Sequence, residues 1–417
     1  MNDGISRANS SSINSEPMTK TKHGLPETVI FCKRCVMSNQ RPSTSPEFRK
    51  TTSDIKTASF GADGICDACH YAEYKAAKIS WPDREKELEA LLGRHRRSDG
   101  RYDVVVPGSG GKDSIYVAHV LKFKSGMNPL TVTWAPHIYT EIGWQNFQNW
   151  LRAGFDNILV TPNPQAHAIM TKLAFLNLVN PFQPFILGQK MAAPRAALQY
   201  DVPLIFYGEN QAECHNVMSE NFSPLMDIKH FTRESKDDRK LYFGGVHIDE
   251  MPRHGVELKE MNPYIPLLRE DVEKAKMEVH YMSYYLPWSP QFNFYYSKEH
   301  AAFEPNPDGR SEGTYTKFSS LDDRVDGQHY YTMFAKFGQG RAMNDACRDI
   351  RDGHITREEA VALCAKYEVE FPKKYFKDFL DYVGINEDKY WEVLDSSRSP
   401  HLWEKHGNDW VLKHPTA

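Results

Sequence analysis

The sequence predicts an α/β protein: a doubly wound parallel sheet, preceded by a zinc-ribbon-like module and followed by a helical region. Three observations predict it. Short apolar runs alternate with helical stretches from Tyr102 to Tyr207. A glycine loop, Ser109-Gly110-Gly111-Lys112-Asp113-Ser114, lies between the first apolar run and the first helix of that series. Two C-x-x-C pairs, Cys32/Cys35 and Cys66/Cys69, precede it. Strands alternating with helices at this spacing imply βαβ units and a sheet covered on both faces.

In chain order, residues 1–28 are predicted to be a disordered tail, rich in Ser, Asn, Thr and Lys and without an apolar signal segment. Residues 29–80 form the cysteine module. A charged helix follows over Asp83–Leu92, then a basic linker at Arg94-His95-Arg96-Arg97. The α/β domain spans 100–250. Its predicted strands are Val104–Val106, Leu130–Trp134, Asn157–Val160 and Val202–Tyr207, and its helices Ile115–Lys124, Gly143–Ala153 and Gln165–Leu178. Residues 251–395 read as mostly helical, with helices over Glu270–Tyr281, Gln328–Phe337, Arg341–Arg351, Arg357–Tyr367 and Tyr375–Val383. The polar stretch Gln291–Asp326 reads as a long functional loop, and 396–417 as a tail. Most of the aromatic run from Tyr281 to Tyr296 is expected in the core.

The 417 residues, 40% hydrophobic and 12% aromatic, are enough for two or three units with a substantial core. A net charge of −4 gives no sign of a nucleic-acid-coating protein, and no apolar stretch is long enough for a membrane span. The two C-x-x-C pairs fit metal binding in a reducing cytoplasm better than a disulfide framework. Four thiolates suit a tetrahedral, closed, structural Zn²⁺ site. An iron–sulfur cluster or unligated thiols are the alternatives, and residues 44–58 look like an insertion between the knuckles.

The loop at Ser109–Ser114 opens a helix, where backbone N–H groups and the helix dipole favour an anion. It is not a Walker A motif, because Val106 and Asp113 stand where a glycine and a hydroxyl residue should be. It resembles the pyrophosphate loop SGGxDS of the PP-loop ATP pyrophosphatases (the adenine nucleotide alpha hydrolase-like fold). Further residues narrow the resemblance. They are Cys32-x-x-Cys35-Val36-Met37 with Arg41-Pro42, Gly64-Ile65-Cys66-Asp67-Ala68-Cys69, Trp134-Ala135-Pro136 with Thr140, Gly143 and Asn146, and Gly208-Glu209-Asn210 with Glu213. Later come Lys317-Phe318, Asp322-Asp323-Arg324, the block Lys336-Phe337-Gly338-Gln339-Gly340-Arg341-Ala342 with Asp345, and Arg348–Glu359. Together they resemble the N-acetyl sugar amidotransferases of bacterial surface-glycan biosynthesis.

That resemblance implies an ATP- and Mg²⁺-dependent enzyme converting a sugar acetamido group to an acetamidino group, acting on a nucleotide-linked or free N-acetylated sugar in the cytoplasm. Ammonia is expected from a separate glutaminase with a cyclase-like subunit, a pair resembling imidazole-glycerol-phosphate synthase. No glutaminase is evident within the chain, and Cys214 beside His215 reads as a structural thiol. The rival is a PP-loop tRNA thiolase, against which stand the isolated Cys214, Cys347 and Cys364 and the negative charge.

Site residues follow from the same reading. Ser109, Gly110, Gly111, Lys112, Asp113 and Ser114 are expected to hold the nucleotide phosphates, with Trp134, Ala135 and Gly208 around the rest of the nucleotide. Lys112, Asp113, Lys317 and Arg341 are the catalytic candidates, and Glu209, Asn210, Asp323, His329 and Arg348 the substrate candidates. Helix N-capping by Asp113, core packing of Trp134, and a salt-bridge ladder of Arg341, Asp345 and Arg348 explain the same patterns without a ligand.

Overall fold

The computed structural model describes residues 21–50, 56–210 and 217–416. Cys214, Glu213 and His215 lie outside the described residues, as does most of the N-terminal tail.

Two helices, α1 (Asp67–Lys78) and α2 (Trp81–His95), lead from the cysteine module into the sheet. The domain then alternates: β1 (Val104–Pro107), α3 (Lys112–His119), β2 (Pro129–Trp134), α4 (Glu141–Arg152), β3 (Asp156–Val160), α5 (Pro164–Leu178), α6 (Gln183–Gln199) and β4 (Leu204–Tyr207). A fifth strand, β5 (Glu278–Tyr281), pairs with β4, giving the order β3-β2-β1-β4-β5 with every pairing parallel. The order reverses beside β1, so the C-terminal ends of β1 and β4 flank the crevice where such sheets bind ligands.

The strand residues divide by parity, as the pleat requires. Val105 and Ile205 pack with α5 and α6 in one core. Val104, Val106, Leu204 and Phe206 pack with α2, α3 and α4 in the other. Burial on both faces explains why β1 reads as an unbroken Val-Val-Val run rather than an alternation.

Beyond β5 come α7 (Pro290–Ala301), α8 (Asp326–Phe337), α9 (Arg341–Arg351), α10 (Arg357–Tyr367), α11 (Phe376–Val383) and α12 (Glu387–Ser397), then a hairpin of β6 (Trp403–His406) and β7 (Asp409–Leu412). The hairpin falls in the segment read as a tail: Trp403 and Leu402 are buried in a small core with Phe334, Phe337 and Leu25. Leu25 belongs to the segment read as an N-terminal tail. Residues 22–28 are anchored there as well, His23 Nε2 lying 2.7 Å from the carbonyl of Ser397 and Lys22 N–H donating to Ser399 Oγ.

Three further readings differ from the structure. The stretch Glu270–Tyr281, read as one helix, is a short helix (Arg269–Lys274) followed by β5, so the sheet extends past the boundary drawn at 250. The loop read from Gln291 begins as α7, which packs along α3. Helix α6 went unread because Pro184, Gly188 and Pro194 interrupt its pattern. Pro184 sits in its first turn, where the missing N–H costs nothing, and Gly188 is needed where the helix crosses Trp134: a Cβ there would lie 2.0 Å from the indole.

Of the segment read as an insertion, residues 51–55 lie outside the described residues, and the stretch before them docks on the sheet domain. Phe48 is fully buried in the sheet core, Gln183 Nε2 donates to the carbonyl of Glu47 at 3.0 Å, and Arg49 pairs with Asp238.

Candidate functional site

Two chemically loaded centres emerge. In the first, Cys32, Cys35, Cys66 and Cys69 are all buried and their sulfurs lie within 4.8 Å of one another. Cys35 and Cys66 sulfurs are 3.7 Å apart and those of Cys32 and Cys69 4.0 Å. A tetrahedron with Zn–S bonds of about 2.3 Å has edges of about 3.8 Å, so the four fit Zn²⁺. The knuckle backbone supports thiolate charge: the N–H groups of Arg34, Cys35 and Cys66 point at Cys32 Sγ, and that of Met37 at Cys35 Sγ. His70 is not a fifth ligand; its ring faces Asp63 and Glu73.

The module docks on α9 and α10. Its cysteines share a core with Met343, Ala346, Cys347, Ala360 and Cys364. Arg357, in the first turn of α10, donates to the carbonyls of Cys35 and Cys32 at 3.3 and 3.4 Å.

The second centre is the glycine loop, which leaves β1 and enters α3 at the crevice. Gly110 has φ +85°, and a Cβ on it would lie 2.7 Å from Phe147 Cα, so the turn needs glycine. Lys112 Nζ bonds Asp113 Oδ2 at 2.6 Å, and Asn293 Nδ2 donates to Asp113 Oδ1 at 2.8 Å. Ser297 Oγ donates to the Lys112 carbonyl at 2.7 Å, tying α7 to the loop. Ser114 Oγ donates to the Gly111 carbonyl at 2.9 Å, within the first turn of α3.

Burial works to raise the pKa of Asp113, but Lys112, Asn293 and the nearby Arg348 outweigh it, so the carboxylate stays ionised. Across the crevice, Gly208 lies against Asp113, with a Cβ on it 3.8 Å from Asp113 Cβ. Glu209 then pairs with Arg348 at 2.6 Å. Arg341 pairs with Asp345 at 3.2 Å and bonds the Tyr330 hydroxyl. Asp322 completes the set: Ser109 Oγ donates to its Oδ2 at 2.7 Å. Burial raises the Asp322 pKa and Asp323 adds to the rise, while the Ser109 bond and Arg341 oppose it.

The structure thus gathers Ser109–Ser114, Gly208, Glu209, Arg341 and Arg348 around one end of the sheet. Asn210 stands beside them, its side chain donating to the Glu220 carbonyl. Four predicted residues do other work. Trp134 is buried between α6 and Tyr264, with no open ring face, although Ala135 after it still ends the strand at the crevice. Asp323 spends its carboxylate on His137 N–H, His137 Nδ1 and Val325 N–H, fastening two loops. His329 stacks on Phe182, and burial drives its pKa down to about 3. Lys317 is exposed over Phe294 and Tyr295, whereas its neighbour Phe318 is the residue whose ring lies 5.2 Å from Lys112 Nζ.

Sequence reasoning assigned no role to Asn293, Ser297 or Asp322. Asp322 stood in the quoted family pattern, but only its pairing with Ser109, 213 positions away, reveals what it touches.

Comparison with known proteins bears on the second centre. Residues 312–415 match the family of the lipopolysaccharide (LPS) biosynthesis protein WbpG-like, C-terminal domain. That segment carries Asp322, Arg341 and Arg348, and the match supports the resemblance to surface-glycan enzymes read from the sequence. No curated protein matches the chain. Among solved structures, NMN synthetase from Francisella tularensis aligns over 55% of this chain and 100% of its own, at 15% identity and a TM-score of 0.26. The architecture described above stands on its own strand order, not on that likeness. Among the described residues no helix is long and apolar enough to cross a membrane.

Proposed function

We propose that the chain is an ATP-dependent amidotransferase that converts a sugar N-acetyl group to an acetamidino group in bacterial surface-polysaccharide (LPS O-antigen) or flagellin-glycan biosynthesis. One observation carries the reading: the segment matching an LPS biosynthesis family delivers Asp322 to a phosphate-type loop at the sheet crevice. On this reading a segment of an LPS-biosynthesis family and an anion-binding loop share one site.

The reaction this supports has two steps. The acetamido oxygen attacks the α-phosphorus of ATP, the bond to the bridging oxygen breaks, and pyrophosphate leaves with the electron pair. Ammonia adds to the imidate carbon and loses a proton, and the C–O bond breaks so that AMP departs with the former amide oxygen. Backbone N–H groups of Gly110 and Gly111 suit the β- and γ-phosphates, while the hydroxyl protons of Ser109 and Ser114 are committed to Asp322 and to the Gly111 carbonyl. Lys112 and Arg348 supply positive charge where negative charge builds on the leaving pyrophosphate, and Arg341 and Glu209 face the sugar. Asp113 would hold Mg²⁺, which supplies charge neutralisation at the phosphates.

Ammonia is assigned to a separate glutaminase with a cyclase-like subunit, and the reaction to the cytoplasm. The tRNA thiolase reading is disfavoured by the thiols: beyond the metal-type set, the described cysteines are Cys347 and Cys364, both buried under the cysteine module.

The test supplies ATP, Mg²⁺, ammonium and a panel of UDP-linked di-N-acetylated uronic acids and nonulosonic acids. Pyrophosphate, AMP and a product with NH in place of one oxygen are expected with one sugar. Turnover with tRNA and a sulfur donor, and with none of the sugars, would overturn the reading.

A further inference from the structure

The position of Asp322 is built with unusual care. Thr140 N–H donates to the Asp322 carbonyl at 3.2 Å, and Arg324 N–H to the Ile138 carbonyl at 3.0 Å. Thr140 Oγ1 bonds the Leu321 carbonyl, and Asp323 takes His137 N–H at 2.8 Å. Gly143 brings α4 so close that a Cβ there would lie 2.4 Å from Asp322 Cα. With the backbone held on both sides, the carboxylate is aimed at Ser109.

That contact has a polarity. An ionised carboxylate only accepts, so it takes the single hydroxyl proton of Ser109. Ser109 therefore offers lone pairs, not a proton, to an anion arriving at the loop. Burial disfavours the charge on Asp322 and Arg341 favours it, but Arg341 is shared with Asp345 and Tyr330, and Lys112 is engaged by Asp113.

On the reading that this loop receives a triphosphate, a bare nucleotide meets a like charge one hydrogen bond from the first loop hydroxyl. A divalent cation carried by the phosphates reverses the sign of that encounter. We propose that Asp322 is a specificity-determining residue of the nucleotide site, supplied by the C-terminal segment, which admits ATP as its divalent-cation complex and turns away the metal-free nucleotide.

The experiment measures equilibrium binding of a non-hydrolysable ATP analogue to the full chain, in excess Mg²⁺ and in excess EDTA. The quantity read is the ratio of the two affinities. Asp322→Asn keeps the shape and still accepts from Ser109, but removes the charge. The ratio is expected to fall by about tenfold or more, chiefly because metal-free binding tightens, as removal of one nearby like charge implies. Asp322→Glu should restore most of the ratio. Ser109→Ala removes the hydroxyl but not the carboxylate, so the ratio should stay high.

An unchanged ratio in Asp322→Asn, or equal weakening in both conditions, would show a purely structural residue and overturn the inference while leaving the nucleotide site intact. Absence of binding by the unaltered chain in either condition would instead remove the nucleotide reading itself, and this inference with it.

Discussion

The cysteine centre and the phosphate loop are built in opposite ways. All four sulfurs come from one segment, Cys32 to Cys69, and are sealed from solvent. The loop at Ser109–Ser114 is equally local, yet its polar partners come from far along the chain. Asn293 reaches Asp113 across 180 positions, Ser297 reaches Lys112 across 185, and Asp322 reaches Ser109 across 213. A closed local centre holds structure. An open centre completed from a distance exists only when the whole fold is assembled, and it retains groups that a ligand can take over.

The largest expected effect breaks the local centre. Cys66→Ser removes one sulfur from a set that fits Zn²⁺, and structural metal sites of this kind couple binding to folding with apparent free energies of about 10 kcal/mol or more. Zinc content should fall from one per chain to near zero. Because the module docks on α9 and α10, thermal stability of the whole chain should drop, not only that of the N-terminal segment. Iron and acid-labile sulfide in the purified protein, in place of zinc, would contradict the tetrahedral zinc assignment.

A smaller and more selective effect is expected at the distant centre. Gly143→Ala places a methyl group into the backbone of Asp322, an overpacking that costs about 1–3 kcal/mol where the neighbours cannot yield. The 321–324 segment must shift, and Asp322 leaves Ser109. The ratio of magnesium-bound to metal-free nucleotide affinity should fall by about tenfold, a change of about 1.4 kcal/mol, while zinc content stays unchanged. Loss of zinc in this variant would mean that the two centres are coupled more tightly than their separate construction implies.

The same contrast explains what could be read from the sequence. The cysteine pairs and the strand–glycine–helix of β1 and α3 are local patterns, and both stand where expected. Helix and strand boundaries fail where a local signal is overridden. Glu270–Tyr281 has enough charged and apolar spacing to read as a helix, but Glu278–Tyr281 is drawn into the sheet by pairing with Leu204–Tyr207. Among site residues, Glu209 and Arg348 both stand out in the sequence, though nothing there marks them as partners. Asp323 stands out as readily as Asp322 in the sequence, because neighbouring carboxylates look alike there. Only the fold turns one inward to His137 and the other toward Ser109.

Helix α9 belongs to both centres, and its N-terminus offers the finest test. One face buries Met343, Ala346 and Cys347 against the cysteine module; another carries Arg341, Asp345 and Arg348. Glu368 caps the start of this helix, accepting N–H bonds from Gly340 and Met343. Burial raises its pKa to about 7, although the two N–H bonds oppose the rise. A carboxyl raised in the folded state contributes stability that is fully present below its unfolded value near 4.5 and is lost as pH rises through 7. The loss is bounded at about 3 kcal/mol by that shift. Glu368→Gln cannot ionise, so its unfolding free energy should decline less than that of the unaltered chain between pH 4.5 and 7.5, even if one cap bond is weaker throughout. Equal slopes would show that Glu368 does not titrate across this range.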